Sequence, residues 1–131
     1  MITYEINRPL DAVDVARLFD ASTIRRPTAD LPRIARMLQH GNLTVSAWDG
    51  TKLVGISRAL TDFAYCCYLS DLAVDKAYQH HGIGRQMLAL TRREIGEQVA
   101  LILLAAPEAM DYYPKVGFEK IANGYIIKRA R

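Results

Sequence analysis

The sequence predicts one α/β domain: a mixed, mostly antiparallel central sheet of six to seven strands, flanked by helices on both faces. Three observations carry this expectation. Helical patterns come early, between residues 11 and 40, and three strand-like runs follow from Leu43 to Val74. Two of those runs are joined through Asp49-Gly50, and Asp-Gly between alternating runs marks a tight hairpin. From Asp71 to Ala105 the pattern then becomes strand end, Gly-bearing loop, amphipathic helix and a second strand. A strand reached through a crossover helix lies parallel to the one before it.

The elements follow in order. Ile2 to Ile6 alternates apolar and polar residues and reads as an opening strand, stopped by Asn7-Arg8-Pro9. A helix follows, capped by Asp11 or Asp14, with Val15, Leu18 and Phe19 as its apolar stripe. Ser22 to Ala29, carrying Arg25, Arg26 and Pro27, is a loop that reads as a solvated basic corner. The second helix has Asp30 at its cap, Pro32 in its first turn, Leu31, Ile34, Ala35 and Leu38 on one face, and Gly41 as its stop.

Leu43 to Trp48, Lys52 to Thr61 and Tyr65 to Val74 are then three antiparallel strands. The next helix turns Met87, Leu88, Leu90 and Ile95 inward and Arg85, Arg92, Arg93 and Glu97 outward, and ends at Gly96. Val99 to Ala105 is an almost unbroken apolar run, as a strand buried on both faces requires. A helix over Ala109 to Val116 follows, stopped by Gly117. Phe118 to Ile121 and Tyr125 to Arg129 close the chain as a hairpin across Ala122-Asn123-Gly124.

With 131 residues, 50% hydrophobic and 24% charged, the chain fits a single domain over 1–131 with an ordinary globular core. Its net charge of +3 comes from 17 Lys and Arg against 14 Asp and Glu, and no basic run exceeds two residues. A nucleic-acid partner wants a denser basic face with interleaved aromatics, so none is expected. The longest apolar run, Val99 to Ala106, is too short to span a bilayer, and MITYEINRPL lacks a basic head followed by an apolar stretch. No membrane partner is therefore expected, and the location expected is cytoplasmic. Cys66 and Cys67 are adjacent, so on a strand they point to opposite faces. They are expected to be free thiols, as in a reducing compartment.

The chemistry concentrates in Gln79-His80-His81-Gly82-Ile83-Gly84, directly ahead of a helical pattern. Two glycines there let backbone N–H groups converge without Cβ interference, and the helix start adds partial positive charge. The result is a phosphate cradle. It is no Walker loop, because no Gly-Lys-Ser/Thr follows, and no dinucleotide fingerprint, because the third glycine is missing. His80 and His81 have no third ligand at useful spacing, so no metal is expected.

Gln79-x-x-Gly82-x-Gly84 behind the apolar strand end Leu72-Ala73-Val74 resembles the Q/R-x-x-G-x-G/A motif of the GCN5-related N-acetyltransferase (GNAT) family. About thirty residues on, Tyr113-Pro114-Lys115-Val116-Gly117-Phe118 matches that family's Y-x-K-x-G-F. The resemblance implies acetyl-CoA (coenzyme A) as donor, lying between two parallel strands that splay apart. Its pantetheine would bond Leu72 and Val74, in the Leu72, Ala73, Val74 stretch. Its pyrophosphate would rest on Gln79, His80, His81, Gly82, Ile83, Gly84 and Arg85.

The resemblance also implies Tyr113 as general acid toward the departing thiolate, with Tyr112 beside it pointing away. The base position, two residues ahead of Leu72, is Ser70, which is no base at neutral pH and could instead hold a water that relays the proton. Asp71, on the opposite face by alternation, reads as structural. Ala106 stands where many relatives carry a pantetheine-binding Asn. The loop Ser22 to Ala29 corresponds to a connection that often borders the acceptor pocket.

The function implied is an N-acetyltransferase moving acetyl from acetyl-CoA to a primary amine, small-molecule or peptide, by direct attack. No activated Cys suggests a covalent intermediate. A catalytically weak acyl-CoA-binding sensor is the alternative. A homodimer is compatible with either.

Overall fold

Residues 1–130 are described by the computed structural model. In chain order they form β1 (Ile2–Ile6), α1 (Ala12–Ala21), α2 (Leu31–His40), β2 (Leu43–Asp49), β3 (Lys52–Thr61), β4 (Cys66–Val74), α3 (Ile83–Ile95), β5 (Ala100–Leu103) and α4 (Tyr112–Lys115). Single 3-10 turns cover Lys76–Tyr78 and Pro107–Ala109. The sheet has five strands in the order β1-β2-β3-β4-β5. The first three pairings are antiparallel and the last, β4 with β5, is parallel. That parallel pair is the one required by a helix crossing between its strands.

Local signals placed most of these elements. Gly50 takes φ 61 in the β2–β3 turn, which is why Asp-Gly stands there. Asp30 accepts from the Arg33 amide at the head of α2, with Pro32 in the first turn. Gly41 does end α2, but at φ −74 it uses no left-handed freedom. Its service is space: a Cβ there would sit 3.0 Å from Cγ of Arg58.

The sheet separates two apolar layers. On one face Val15, Leu18, Phe19 and Ile34 of α1 and α2 pack on Trp48, Leu53, Ile56 and Ala73. On the other, Ile83 and Met87 of α3 meet Val45, Ala47 and Val54, while Leu88 and Ile95 meet Leu43, Ala59, Cys67 and Leu69. A helix of 13 residues such as α3 is marginal alone. Its stripe, at roughly 1.5–3 kcal/mol per buried large apolar side chain, holds it on the sheet. Gly55 of β3 sets how closely. A Cβ there would meet Cε of Met87 at 3.0 Å and Cγ2 of Ile83 at 3.2 Å, so the glycine fixes the seat of the first turns of α3.

Three expectations are corrected. The sheet has five strands, not six to seven, because Phe118 to Ile121 and Tyr125 to Arg129 form no hairpin; residues 119–130 are exposed and carry no regular structure. A lone hairpin is marginal in water, and Tyr125 and Ile127 bury against nothing among the described residues. The apolar run Val99 to Ala105 yields only the four residues of β5, alternately exposed and half-buried rather than buried on both faces. The helix expected over Ala109 to Val116 is broken into the Pro107–Ala109 turn and α4. Pro114 supplies no N–H and its ring clashes one turn back, so a helix tolerates it only in the first turn, its position in α4. Cys66 is exposed and Cys67 buried, both free, as strand alternation required. No helix among the described residues is long and apolar enough to cross a membrane.

Candidate active site

The site begins with a bulge in β4. Arg58 pairs with Asp71 and Ala59 with Leu69, so Ser70 is an extra residue on β4. Such an insertion kinks the strand and changes which faces its side chains address. Before it Cys67 and Leu69 pack toward α3; after it Ala73 packs toward α1. The pairing with β5 also stops there, since only Cys66 to Leu69 are matched by Ala100 to Leu103. From Ser70 to Val74, β4 has a strand partner on the β3 side alone.

The ladder decides which backbone groups that leaves open. The Asp75 amide donates to Val54 O at 2.9 Å, and hydrogen-bonded and non-bonded pairs alternate along an antiparallel ladder. Ala73 and Asp71 therefore spend their backbone on β3, whereas Leu72 and Val74 turn theirs to the splay. Ala73, between them, has its backbone occupied and its side chain buried in the α1 layer.

Beyond Val74 the chain makes its cradle. Asp75 accepts from the Ala77 amide at 2.9 Å, capping the 3-10 turn. Gln79 Nε2 donates to Val74 O at 3.0 Å, so Gln79 braces the loop against the strand. His80 takes φ 68 and Gly82 φ 78, both left-handed. Gly82 is the N-cap of α3, and its carbonyl accepts the first intrahelical bond from the Gln86 amide. The amides of Ile83, Gly84 and Arg85 lie in the first turn, where no helical acceptor exists. His80, His81 and Arg85 are exposed at the rim.

The opposite wall comes from α4. The ring of Tyr113 stands edge-on to Tyr112 at 5.3 Å and to Phe118 at 5.4 Å. Burial pushes the Tyr113 phenol above its usual value, the neighbouring Tyr112 adds to this, and the Arg26 guanidinium opposes it. Tyr112 does not point away as expected. Its hydroxyl lies 3.1 Å from where a Cβ on Gly84 would be, and its own phenol is raised by burial and lowered by Arg85. The two tyrosines thus differ in surroundings, Tyr112 reaching the cradle at Gly84 and Tyr113 packed between Tyr112 and Phe118.

Behind Ser70 lies a charge cluster. Asp71 is fully buried, with Oδ2 accepting from Arg58 Nε and Oδ1 from Arg26 Nε. Arg58 also donates to Ser70 Oγ at 3.0 Å and to Met37 O at 3.0 Å. Arg26 also donates to Ser70 O at 2.9 Å. The basic-corner reading of the Ser22 to Ala29 loop is therefore corrected for Arg26, which is half-buried and bonded to β4, and holds for exposed Arg25. Asp71 is structural, but its partners are arginines rather than local backbone. Its separation from Ser70 is also smaller than alternation required, because the bulge lets both reach Arg58.

Sequence reasoning missed Arg58 altogether. The signal was present: Arg58 interrupts the apolar and small run from Leu53 to Leu60, and a charge inside a buried strand needs a buried partner.

A family model described as an acetyltransferase (GNAT) domain matches residues 25–128. The chain is 26% identical over 139 aligned residues to the probable acetyltransferase TAP2 of Glycine max, covering 94% of this chain and 54% of that protein. The chain thus spans about half the length of the curated relatives it matches. The solved structure of protein SA2161 from meticillin-resistant Staphylococcus aureus superposes with a TM-score of 0.84 at 24% identity, covering 98% of this chain and 100% of that one. The aminoglycoside N-acetyltransferase AAC(6')-Iy, in complex with CoA, superposes with a TM-score of 0.74 at 14% identity, covering 100% and 96%. At these identities the two structures share the fold. With the family model spanning most of the chain on that fold, the chain belongs to the GNAT acetyltransferase family, which implies acetyl transfer.

Proposed function

We propose that the protein moves an acetyl group from acetyl-CoA to a primary amine of a small molecule or peptide by direct attack. One observation carries the reading: the backbone groups of Leu72 and the amide of Val74, turned from β3 to the open edge of β4, lead into the free first-turn amides of α3. These groups suit a ligand with an amide-bearing arm and a pyrophosphate. The arm adds to β4 as a further strand does, and the anion rests at the positive end of α3, where Gly82 opens the backbone.

Bound acetyl-CoA supplies an activated thioester. The chain's own residues supply position and protons. Tyr113, protonated throughout the neutral range because burial raises it, is the donor toward the leaving sulfur. A positioned general acid contributes roughly 10²–10⁴-fold. Ser70 Oγ already accepts from Arg58, which leaves it one lone pair and its own proton. It holds a water that carries the amine's proton away, and is not itself a base. Arg26 and Arg58, with Asp71 between them, fix the α1–α2 connection and Ser70 relative to each other. The acceptor enters beside that connection and near Phe63, away from the cradle.

The engaged lone pair of Ser70 favours one rival, a sensor that binds acyl-CoA without turnover. Calorimetric titration of CoA, followed by turnover against a panel of polyamines, amino sugars, arylalkylamines and peptides, separates the two. Products are read by chromatography, because exposed Cys66 would react with thiol reagents. Binding with acetylation of at least one amine class supports the enzyme, and binding without any supports the sensor. An absence of CoA binding overturns both.

A further inference from the structure

The charge beside Ser70 is not balanced. Two guanidiniums, Arg26 and Arg58, share the single carboxylate of Asp71, so the cluster keeps one positive charge over. That surplus falls to Arg26. Arg58 is buried with its nitrogens turned inward, Nε on Asp71, Nη1 on Met37 O and Nη2 on Ser70 Oγ. Arg26 keeps 28% of its side chain exposed. It spends one N–H of each nitrogen, on Asp71, Arg25 O and Ser70 O. A guanidinium carries five N–H groups, so each terminal nitrogen of Arg26 retains one for a ligand. Arg25, exposed beside it, adds a second cation at the rim.

The carboxylates flanking the two loops that border this side are drawn onto their own loops. Asp20 accepts from Thr28 Oγ1 at 2.7 Å, and Asp30 from the Arg33 amide at 3.1 Å. Asp62 accepts from three amides of its own turn. Glu108 and Asp111, ahead of α4, are exposed with Lys115 one turn on. The cation of Arg26 also reaches the tyrosine wall, since it lowers the Tyr113 phenol against the rise that burial causes.

We infer that the acceptor is an amine that carries its own anionic group, a carboxylate or a phosphate, and that Arg26 receives that group. The inference rests on the acetyl-transfer reading above and narrows its acceptor. A guanidinium suits either oxyanion, because its N–H groups are fixed in one plane. An anion bound there cancels the surplus charge of the cluster. A polyamine instead brings further cations to a side that already holds one and turns no carboxylate of its bordering loops toward them.

Matched amines test this. Initial rates with acetyl-CoA are compared for β-alanine against β-alaninamide, for phosphoethanolamine against ethanolamine, and for spermidine. In at least one pair the anionic member is expected to exceed its counterpart in kcat/KM by roughly 10- to 100-fold, the range that a hydrogen bond to a charged group spans. Which pair shows it tells carboxylate from phosphate. In Arg26→Gln that ratio is expected to fall to within about threefold of one, with Arg26→Lys between. The double variant Glu108→Gln with Asp111→Asn is expected to keep the wild-type ratio. A ratio taken within one sample does not depend on how much of a variant is folded. The Arg26 Nε–H resonance in CoA-saturated protein gives a readout without turnover, and it is expected to shift with the preferred anionic amine but not with its counterpart. Ratios near one in the wild type, a preference for spermidine, or a ratio that survives Arg26→Gln would each overturn the inference and leave acetyl transfer standing. CoA binding without acetylation of any amine fails the enzyme reading, and the resonance then decides. A shift with β-alanine or phosphoethanolamine at millimolar concentration supports Arg26 as the anion's seat, and no shift with either overturns it.

Discussion

Arg58 of β3 and Asp71 of β4 face one another across the ladder as a buried ion pair, at the one place where β4 carries an extra residue. Arg26 completes the pair from the α1–α2 connection. Two strands, the bulge and both helices of one layer therefore meet on one carboxylate. Removing one partner of a buried pair strands the other charge and costs about 3–5 kcal/mol. Asp71→Asn is expected to lower the urea midpoint by that order with the slope unchanged. Arg26→Gln, whose side chain is 28% exposed, is expected to cost clearly less. Equal losses would show that the Arg26 contact alone carries the stabilisation and that the burial of Arg58 is not what matters.

Tyr113→Phe keeps the ring contacts with Tyr112 and Phe118 and removes one hydroxyl. The expected result is a fall in kcat of about 10²-fold or more with little change in CoA affinity, because a general acid acts on the transition state. Near-full turnover with chemistry rate-limiting would reduce Tyr113 to a packing residue.

The same tyrosines set an alkaline limit. The phenols of Tyr112 and Tyr113 lie above the ordinary value of 10.0 in the fold because burial disfavours their charged forms. As pH rises through about 10 the unfolded chain gives up these protons first, so it binds fewer than the folded chain and stability falls. A thermal midpoint that declines above pH 10 in the wild type is expected to decline less steeply in Tyr113→Phe.

Gly82 and Gly84 are expected to fail differently. At Gly82 a side chain meets nothing within 4 Å, but φ is +78, a conformation that costs an L residue roughly 1–2 kcal/mol and more when β-branched. Gly82→Val is expected to keep the fold and weaken CoA at least tenfold by calorimetry. Gly84→Val meets the Tyr112 hydroxyl and Val74, so it is expected to shift the α4 wall as well and to change the near-ultraviolet tyrosine signal. Undiminished CoA affinity in a folded Gly82→Val protein would remove the cradle from the proposed function.

Asp62 caps the β3–β4 turn by accepting from the amides of Ala64, Tyr65 and Cys66 at 2.8, 2.8 and 3.1 Å. Those donors, the Tyr65 amide foremost, lower its carboxyl from 3.8 to about 2. Being depressed, its contribution is complete above the unfolded value and is lost as pH falls from 3.8 toward 2. Carboxyl NMR titration is expected to place its midpoint near 2, and a midpoint near 3.8 would mean the turn is open in solution.

The sequence by itself determined what local chemistry can determine. Asp49-Gly50 fixed the hairpin, Asp30-Leu31-Pro32 the head of α2, and the stripe of Met87, Leu88 and Ile95 the inward face of α3. Gly82 and Gly84 ahead of a helical pattern marked the cradle, and the structure added its left-handed backbone, at His80 as well as Gly82. The tertiary structure decided the rest, where a residue's role depends on a partner distant in sequence. Nothing local to Arg58, Asp71 or Arg26 says that they share one buried site, and the bulge that brings Ser70 to them follows from how β3 and β4 match. Tyr112 and Tyr113 are neighbours in sequence, and only packing sends one to Gly84 and the other against Phe118. The closing hairpin was likewise a fair local reading of Asn123-Gly124. Its strands need a partner to bury against, and among the described residues Tyr125 to Arg129 meets none.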